Sequence, residues 1–206
     1  NFVFEGESLY SGRACVFVRL TGCNLRCSYC DTRYAYEDGV GIELNDLLER
    51  IRAYGCNLVE ITGGEPLLQK STPDLIRKLI KNRYDVMLET NGSIDIGKVD
   101  EQCIKIVDIK CPSSGESSKN NLDNLRKVRT LDQIKFVIGD RKDFEYSLRI
   151  IQQKASNFSE DHFLFSPVSG KLSPKKLAKW FLESKTKARL HLQIHKIIWP
   201  NQSRGV

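Results

Sequence analysis

Three cysteines stand close together in this chain, at Cys23, Cys27 and Cys30, within the run Cys-Asn-Leu-Arg-Cys-Ser-Tyr-Cys. Three thiolates on one short loop can take three corners of an iron–sulfur cubane and leave the fourth iron open. A structural zinc site prefers four protein ligands, commonly as two separated pairs. No second pair with that spacing follows, and His162, His191 and His195 stand far downstream. The pattern therefore favours a [4Fe–4S] cluster whose unique iron is free to bind a chelating molecule. Four further cysteines, Cys15, Cys56, Cys103 and Cys111, are scattered. Seven cysteines in 206 residues do not read as a secreted disulfide framework, and reduced thiols beside a metal site point to a reducing cytoplasm.

A loop of this kind has to be held by regular elements, and the chain reads as alternating strands and helices. Cys15–Leu20 is apolar and partly β-branched, so it predicts a strand. Leu44, Leu47, Leu48 and Ile51 recur at helical spacing within Glu43–Tyr54. Asn57–Thr62 predicts the next strand, ended by Gly63-Gly64-Glu65-Pro66. Thr72-Pro73 reads as an N-cap and first-turn proline for a helix burying Leu75, Ile76, Leu79 and Ile80. Further strands are expected at Asp85–Thr90, Cys103–Lys110, Gln133–Ile138, His162–Phe165 and Leu190–Ile194. Helices are expected at Asn121–Val128, Phe144–Ala155 and Lys175–Leu182, the last capped at Ser173-Pro174. Such alternation implies an α/β fold with a parallel sheet, whose ligands bind beyond the C-terminal strand ends. The cysteine triad, GGEP, Thr90-Asn91-Gly92, Lys110 and Ser166-Pro167 all follow strands.

Cys-x₃-Cys-x-aromatic-Cys after a strand resembles the radical S-adenosylmethionine (SAM) signature, and Gly63-Gly64-Glu65-Pro66 matches that superfamily's glycine-rich motif. The resemblance implies an incomplete (β/α) barrel in a single compact domain. It also implies SAM chelating the open iron, with Tyr29 beside it and Gly63, Gly64 and Glu65 meeting its amino group. An amine donor needs acceptors, so those residue types fit.

Further segments are similar to the 7-carboxy-7-deazaguanine synthases. They are Phe4-Glu5-Gly6-Glu7-Ser8, Phe17–Leu25, Cys30-Asp31-Thr32, Leu88–Gly92, Asp108–Pro112, Leu192–Lys196 and the terminal Trp199…Arg204-Gly205-Val206. The family converts 6-carboxy-5,6,7,8-tetrahydropterin to 7-carboxy-7-deazaguanine with loss of ammonia, on the route to queuosine and related deazapurines, assisted by Mg²⁺. By that resemblance Thr32 binds Mg²⁺, and Gly92, Asp108, Lys110 and Ser166 contact SAM. Phe4, Glu5, Gly6, Glu7, Arg19, Thr90 and the Val206 carboxylate contact substrate, with His195 nearby. Residues 1–14 form a substrate-binding extension and 195–206 a tail closing the site. The family often has Gln at Glu5, Gly at Ser8 and Ser-Pro before Lys110. The resemblance also implies a homodimer and an electron donor such as flavodoxin or ferredoxin.

Arg19 carries weight from its residues alone. A guanidinium inside the apolar run Val16–Leu20 suits a carboxylate-bearing substrate. The net charge of +6 is mild, and the lysines between Lys171 and Lys187 read as a solvated helix face rather than a nucleic-acid surface. Cys15, Cys56 and Cys103 read as buried thiols, and Trp180 and Phe181 as packing residues. No apolar run is long enough to cross a bilayer and no signal peptide is read. The numbering opens on Asn1 rather than Met, which leaves room for a preceding segment. Two competing readings are a radical activase acting on a partner protein and a zinc-dependent nucleic-acid-binding module.

Overall fold

The computed structural model describes residues 1–154 and 158–202. Among the described residues eight strands form one sheet in sequence order. They are β1 (Phe2–Phe4), β2 (Ala14–Leu20), β3 (Leu58–Gly63), β4 (Asp85–Thr90), β5 (Ile104–Asp108), β6 (Gln133–Ile138), β7 (Phe163–Pro167) and β8 (Arg189–Leu190). β1 runs antiparallel to β2, while β2 to β8 are parallel. Among the described residues no ladder joins β8 back to β1, so the sheet curves as an incomplete barrel. Helices α1 (Leu44–Ala53), α2 (Thr72–Lys81), α3 (Arg141–Lys154) and α4 (Pro174–Ser184) cover its outside, and α5 (Ile194–Ile198) follows β8. Between β4 and β5, and between β5 and β6, the crossovers use only 3₁₀ turns.

Strand alternation sorts the side chains into two worlds. Val16, Val18, Val59, Ile61, Val86 and Leu88 face the helices, where they meet Ile51, Leu75, Ile76 and Leu79 in the main core. The opposite face forms a layered interior. Cys15, Leu58, Met87 and Ile106 make a small apolar plug at the strands' N-terminal side. Two residues further along the same strands lie Phe17, Glu60, Glu89 and Asp108, beside Lys135 of β6, all lining a cleft. Strand register fixes this layer: Phe17 stands opposite Glu60, and Asp108 opposite Lys135.

Several elements differ from the sequence reading. The cap of α2 is Ser71; Thr72 is the first helical residue, and its hydroxyl donates to Pro66 O at 2.6 Å. A buried carbonyl recruits that hydroxyl more strongly than the helix end does. Residues Leu122–Arg126 are a 3₁₀ helix, because the Asn124 side chain donates back to Gly92 O and Ile94 O instead of permitting a longer α-helix. The last strand is only Arg189–Leu190, and Ile194 begins α5 rather than ending a strand. α3 starts at Arg141, three residues before the apolar pattern begins, and Ala155 lies outside the described residues. Ser173 caps α4 as expected, accepting from Lys176 N. Cys15 and Cys103 are buried, Cys56 is half-buried, and Trp180 packs against Phe144.

Candidate active site

One cleft of about 600 Å³ opens at the C-terminal ends of the strands. That volume is in the range of small-molecule sites. Its rim carries the cysteine loop. Gly22 turns the chain with φ +98°, its amide donates to Ala35 O at 2.9 Å, and its carbonyl accepts from Glu65 N at 2.7 Å. Leu25 is buried and anchors the loop, while the Arg26 guanidinium folds back onto Cys23 O at 2.7 Å and Leu25 O at 2.8 Å. Asn91 Nδ2 donates to Asn24 Oδ1 at 3.0 Å and stands 3.9 Å from Cys23 Sγ. Cys23, Cys27 and Cys30 are free thiols lining the cleft. Burial pushes the Cys27 thiol up to about 11, so metal binding has to displace its proton.

The donor set fits a cubane better than zinc. Three thiols on one loop line the cleft, one short of the four protein ligands that a structural zinc site prefers. Cys111 cannot be a fourth ligand in this arrangement, because its buried thiol lies against Ser147 Oγ at 3.5 Å. The histidines are also engaged elsewhere: His162 with Asp132 O, His191 with Ser8 O, and His195 beside Glu7.

Gly63 and Gly64 line the cleft next to the thiols, and Gly64 N donates to Leu20 O at 3.0 Å. Glu65 does not join them. Its carboxylate is buried and accepts from Leu67 N at 2.9 Å, Asn91 N at 2.7 Å and Thr90 Oγ1 at 2.8 Å. Burial, opposed by these donors, holds its pKa above the ordinary value. Glu65 is therefore a brace tying β3 to β4, and its expected contact with SAM through the carboxylate is not available. Thr90 borders the cleft, but its hydroxyl is committed to that brace. Gly92 and Ser166 do not line the cleft; Gly92 is packed against Val107 and Asp108, and Ser166 is fully buried in β7.

The floor is charged. Lys135, 2% exposed, makes ion pairs with Glu7 and Glu89 and lies 3.9 Å from Asp108. Lys110 pairs with Asp108 at 2.8 Å. Burial alone would lower the Lys110 pKa, yet the Asp108 carboxylate outweighs it and holds the ammonium above its usual value. Glu60 is 1% exposed, and burial together with the charges of Glu89, Glu5 and Glu7 pushes its carboxyl well above the carboxylate range. Glu60 Oε2 and Asp108 Oδ1 are buried without a hydrogen-bond partner among the described residues. Unpaired acceptors facing a cleft are places for a ligand's N–H groups to dock.

The two ends of the chain meet at the far wall. Ile194 N donates to Gly6 O at 3.2 Å, and His191 Nε2 to Ser8 O at 2.9 Å. Glu7 Oε1 accepts from Gln193 Nε2 at 2.8 Å with His195 Nε2 at 3.6 Å, and Lys196 pairs with Asp31 at 2.5 Å. Thr32 Oγ1 donates to Asp31 Oδ1 at 3.0 Å, so a hydroxyl and a carboxylate stand together as hard oxygen donors. Arg19 reaches into the cleft, with Nη1 3.4 Å from Gly63 O and its guanidinium 5.9 Å from the Phe17 and Tyr34 rings. Phe4 and Glu5 fall short of it. Phe4 stacks on Trp199 outside, and Glu5 is buried, its carboxylate accepting from Glu7 N at 2.6 Å. The sequence reading missed Glu60, Thr62, Glu89, Lys135, Gln193 and Lys196, which line the same cleft. The signal was present for two of them: Glu60 and Lys135 interrupt apolar strands just as Arg19 does. Val206 lies outside the described residues.

Comparison with known proteins agrees with this geometry. A family model described as the radical SAM superfamily matches residues 17–152. A 7-carboxy-7-deazaguanine synthase of Koribacter versatilis is 38% identical, covering 98% of this chain and 96% of that relative. Another from Chlorobaculum tepidum is 36% identical over 100% of this chain and 94% of its own length. Among solved structures, QueE from Escherichia coli superposes with a TM-score of 0.71 at 21% identity, covering 94% of this chain and 91% of that one.

Proposed function

This chain belongs to the 7-carboxy-7-deazaguanine synthase family of the radical SAM superfamily, and from that premise we propose that its cleft converts 6-carboxy-5,6,7,8-tetrahydropterin to 7-carboxy-7-deazaguanine. The cofactors are a [4Fe–4S] cluster, SAM and Mg²⁺, and a reductant is required. When bound, cluster and SAM together supply a 5′-deoxyadenosyl radical that removes hydrogen from the substrate. The observation that carries the reading is the shared cleft: three thiols at its rim and a floor of buried carboxylates around Lys135.

The chain's own residues divide the work. Cys23, Cys27 and Cys30 hold the cluster. The backbone of Gly63 and Gly64 takes the methionyl end of SAM, with Tyr29, Asp108 and Lys110 along its length. Arg19 binds the substrate carboxylate, its planar fork matching two oxygens. Thr32, with Asp31 as neighbour, holds Mg²⁺ against that carboxylate. Gly6, Glu7, Glu60 and Glu89 accept from the N–H groups of the pterin's pyrimidine edge. His195 and Gln193 orient Glu7, and the N-terminal extension and C-terminal segment together exclude water. A homodimer, a cytoplasmic location and a flavodoxin- or ferredoxin-type donor belong to the same proposal. Among the described residues no helix is long and apolar enough to cross a membrane.

The test is anaerobic incubation with the carboxypterin, SAM, Mg²⁺ and a chemical reductant, followed by chromatography for the deazapurine. Product formation is expected. Its absence from a preparation that holds iron and cleaves SAM would overturn the substrate assignment.

A further inference from the structure

Residues outside the roles given above hold the cysteine loop from one side. Arg26 lies between the first two thiols, and its amide donates to Glu116 Oε1 at 2.7 Å. Ser28 lies between the second and third. Its amide donates to Ser114 O at 2.9 Å and its hydroxyl to Ser113 O at 2.8 Å. The turn that receives them follows β5 and is itself tied down. Ser114 Oγ donates to Cys111 O at 2.6 Å and accepts from Glu116 N at 3.0 Å. Beneath it sits Asp143 of α3, fully buried, accepting from Ser113 N at 2.9 Å, Gly139 N at 2.8 Å and the Ser113 hydroxyl. The loop is thus fastened through the 113–116 turn to a rigid helix.

From this arrangement we infer that Glu116 is a positioning residue for the iron–sulfur cluster, seating the loop through the Arg26 amide and keeping the cluster's reduction potential low. The inference rests on the reading that Cys23, Cys27 and Cys30 hold that cluster. Two effects act in the same direction. Backbone N–H groups of a ligand loop that donate to cluster sulfur make the cluster easier to reduce. At Arg26 a carboxylate takes that N–H instead. The carboxylate also places negative charge beside the loop, which opposes the arrival of an electron. The Arg26 guanidinium is turned onto Cys23 O, Leu25 O and the Tyr36 ring rather than onto Glu116, and it is common to every variant compared below, so a change at Glu116 isolates the carboxylate's share. Glu116 is half-buried, so solvent screens its charge only in part. A low potential suits a cluster that must pass its electron to a sulfonium.

The experiment uses full-length protein reconstituted anaerobically, with iron content and an EPR-monitored redox titration as readouts, both without SAM and with it. Glu116→Gln keeps an acceptor oxygen for the Arg26 amide and removes the charge; Glu116→Ala removes both. The expected result is wild-type iron content in Glu116→Gln with a midpoint shifted to a less negative value, and a larger shift in Glu116→Ala. Glu101→Gln removes a carboxylate before β5, at the opposite end of that strand, and is expected to leave the midpoint in place. Glu116→Gln loading fully and titrating at the wild-type potential would overturn the inference, and so would an equal shift in Glu101→Gln. Wild-type protein that fails to hold iron would instead refute the cluster reading itself.

Discussion

A methyl group built on Gly64 would stand 2.3 Å from the carbonyl oxygen of Gly22 and 2.8 Å from Cys23 Cβ. The glycine motif after β3 and the first thiol are therefore in direct backbone contact, and the absence of a side chain at Gly64 is what lets the loop close. Gly64→Ala has no flexible neighbour to push aside, since the obstacle is backbone. The variant is expected to fold, because the outer core is untouched, and to lose most of its capacity to hold iron. Iron and sulfide analysis after anaerobic reconstitution checks this. Full loading with an unaltered visible spectrum would show that the contact relaxes at no cost.

Arg19 presents its guanidinium to the cleft from between two aromatic rings. Lysine at this position keeps the charge but loses the planar fork and the stacking. A charge-assisted hydrogen bond is worth about 1.5–3 kcal/mol, so Arg19→Lys should lower kcat/KM for the carboxypterin by roughly 10–100-fold, mainly through KM. SAM cleavage without substrate should change little. An unchanged KM would mean that Arg19 serves only to hold Gly63 and the rings.

The alternation of strands and helices and the triad were legible in the sequence because both are written in local signals: strand periodicity, punctuating glycines and a fixed cysteine spacing. The floor of the cleft was less legible. Glu60 and Lys135 belong to strands 75 residues apart, and nothing local says that their side chains enter one layer. Strand register decides it, and register is a property of the assembled sheet. Glu65 shows the converse. Its place in a known motif suggested a ligand contact, but three donors from β4 and the turn after Pro66 capture the carboxylate. Phe4 and Glu5 were misplaced for a similar reason. The β1–β2 hairpin exposes Phe4 and buries Glu5, so of that opening motif Gly6 and Glu7 are the residues that arrive at the cleft.

Glu60 gives a stability test with a definite sign. Burial, followed by repulsion from Glu89, Glu5 and Glu7, raises its folded-state pKa well above the unfolded value of about 4.3. The stability associated with its proton is complete below that pH and is lost as the pH rises from there through the folded value. Glu60→Gln, which copies the neutral form, should match the wild type near pH 4 and exceed it in Tm at pH 8. Thermal denaturation of metal-free protein at the two pH values measures this. A variant less stable than the wild type at pH 8 would show that the ionised carboxylate is wanted by Lys135.

Glu7, paired with Lys135, carries the opposite sign. Burial by itself would raise Glu7, but Lys135 above all, then His195, hold its carboxyl far below the usual range. That stability is present above the unfolded carboxylate pKa of about 4.3 and is lost as pH falls through the folded value. Lys135 is raised above its ordinary value against the pull of burial, by Glu7 and Glu89 first. Its share is present below about pH 10.4 and is lost only as pH rises through the folded value. Lys135→Met leaves two carboxylates in the interior without their cation, and removing one partner of a buried pair costs about 3–5 kcal/mol. The loss should be greatest near pH 7 and should shrink toward pH 4, where Glu7 of the variant takes up a proton. Urea denaturation of metal-free wild type and variant at both pH values provides the comparison. An equal loss at the two pH values would assign the effect to packing of the lysine's methylene chain rather than to charge.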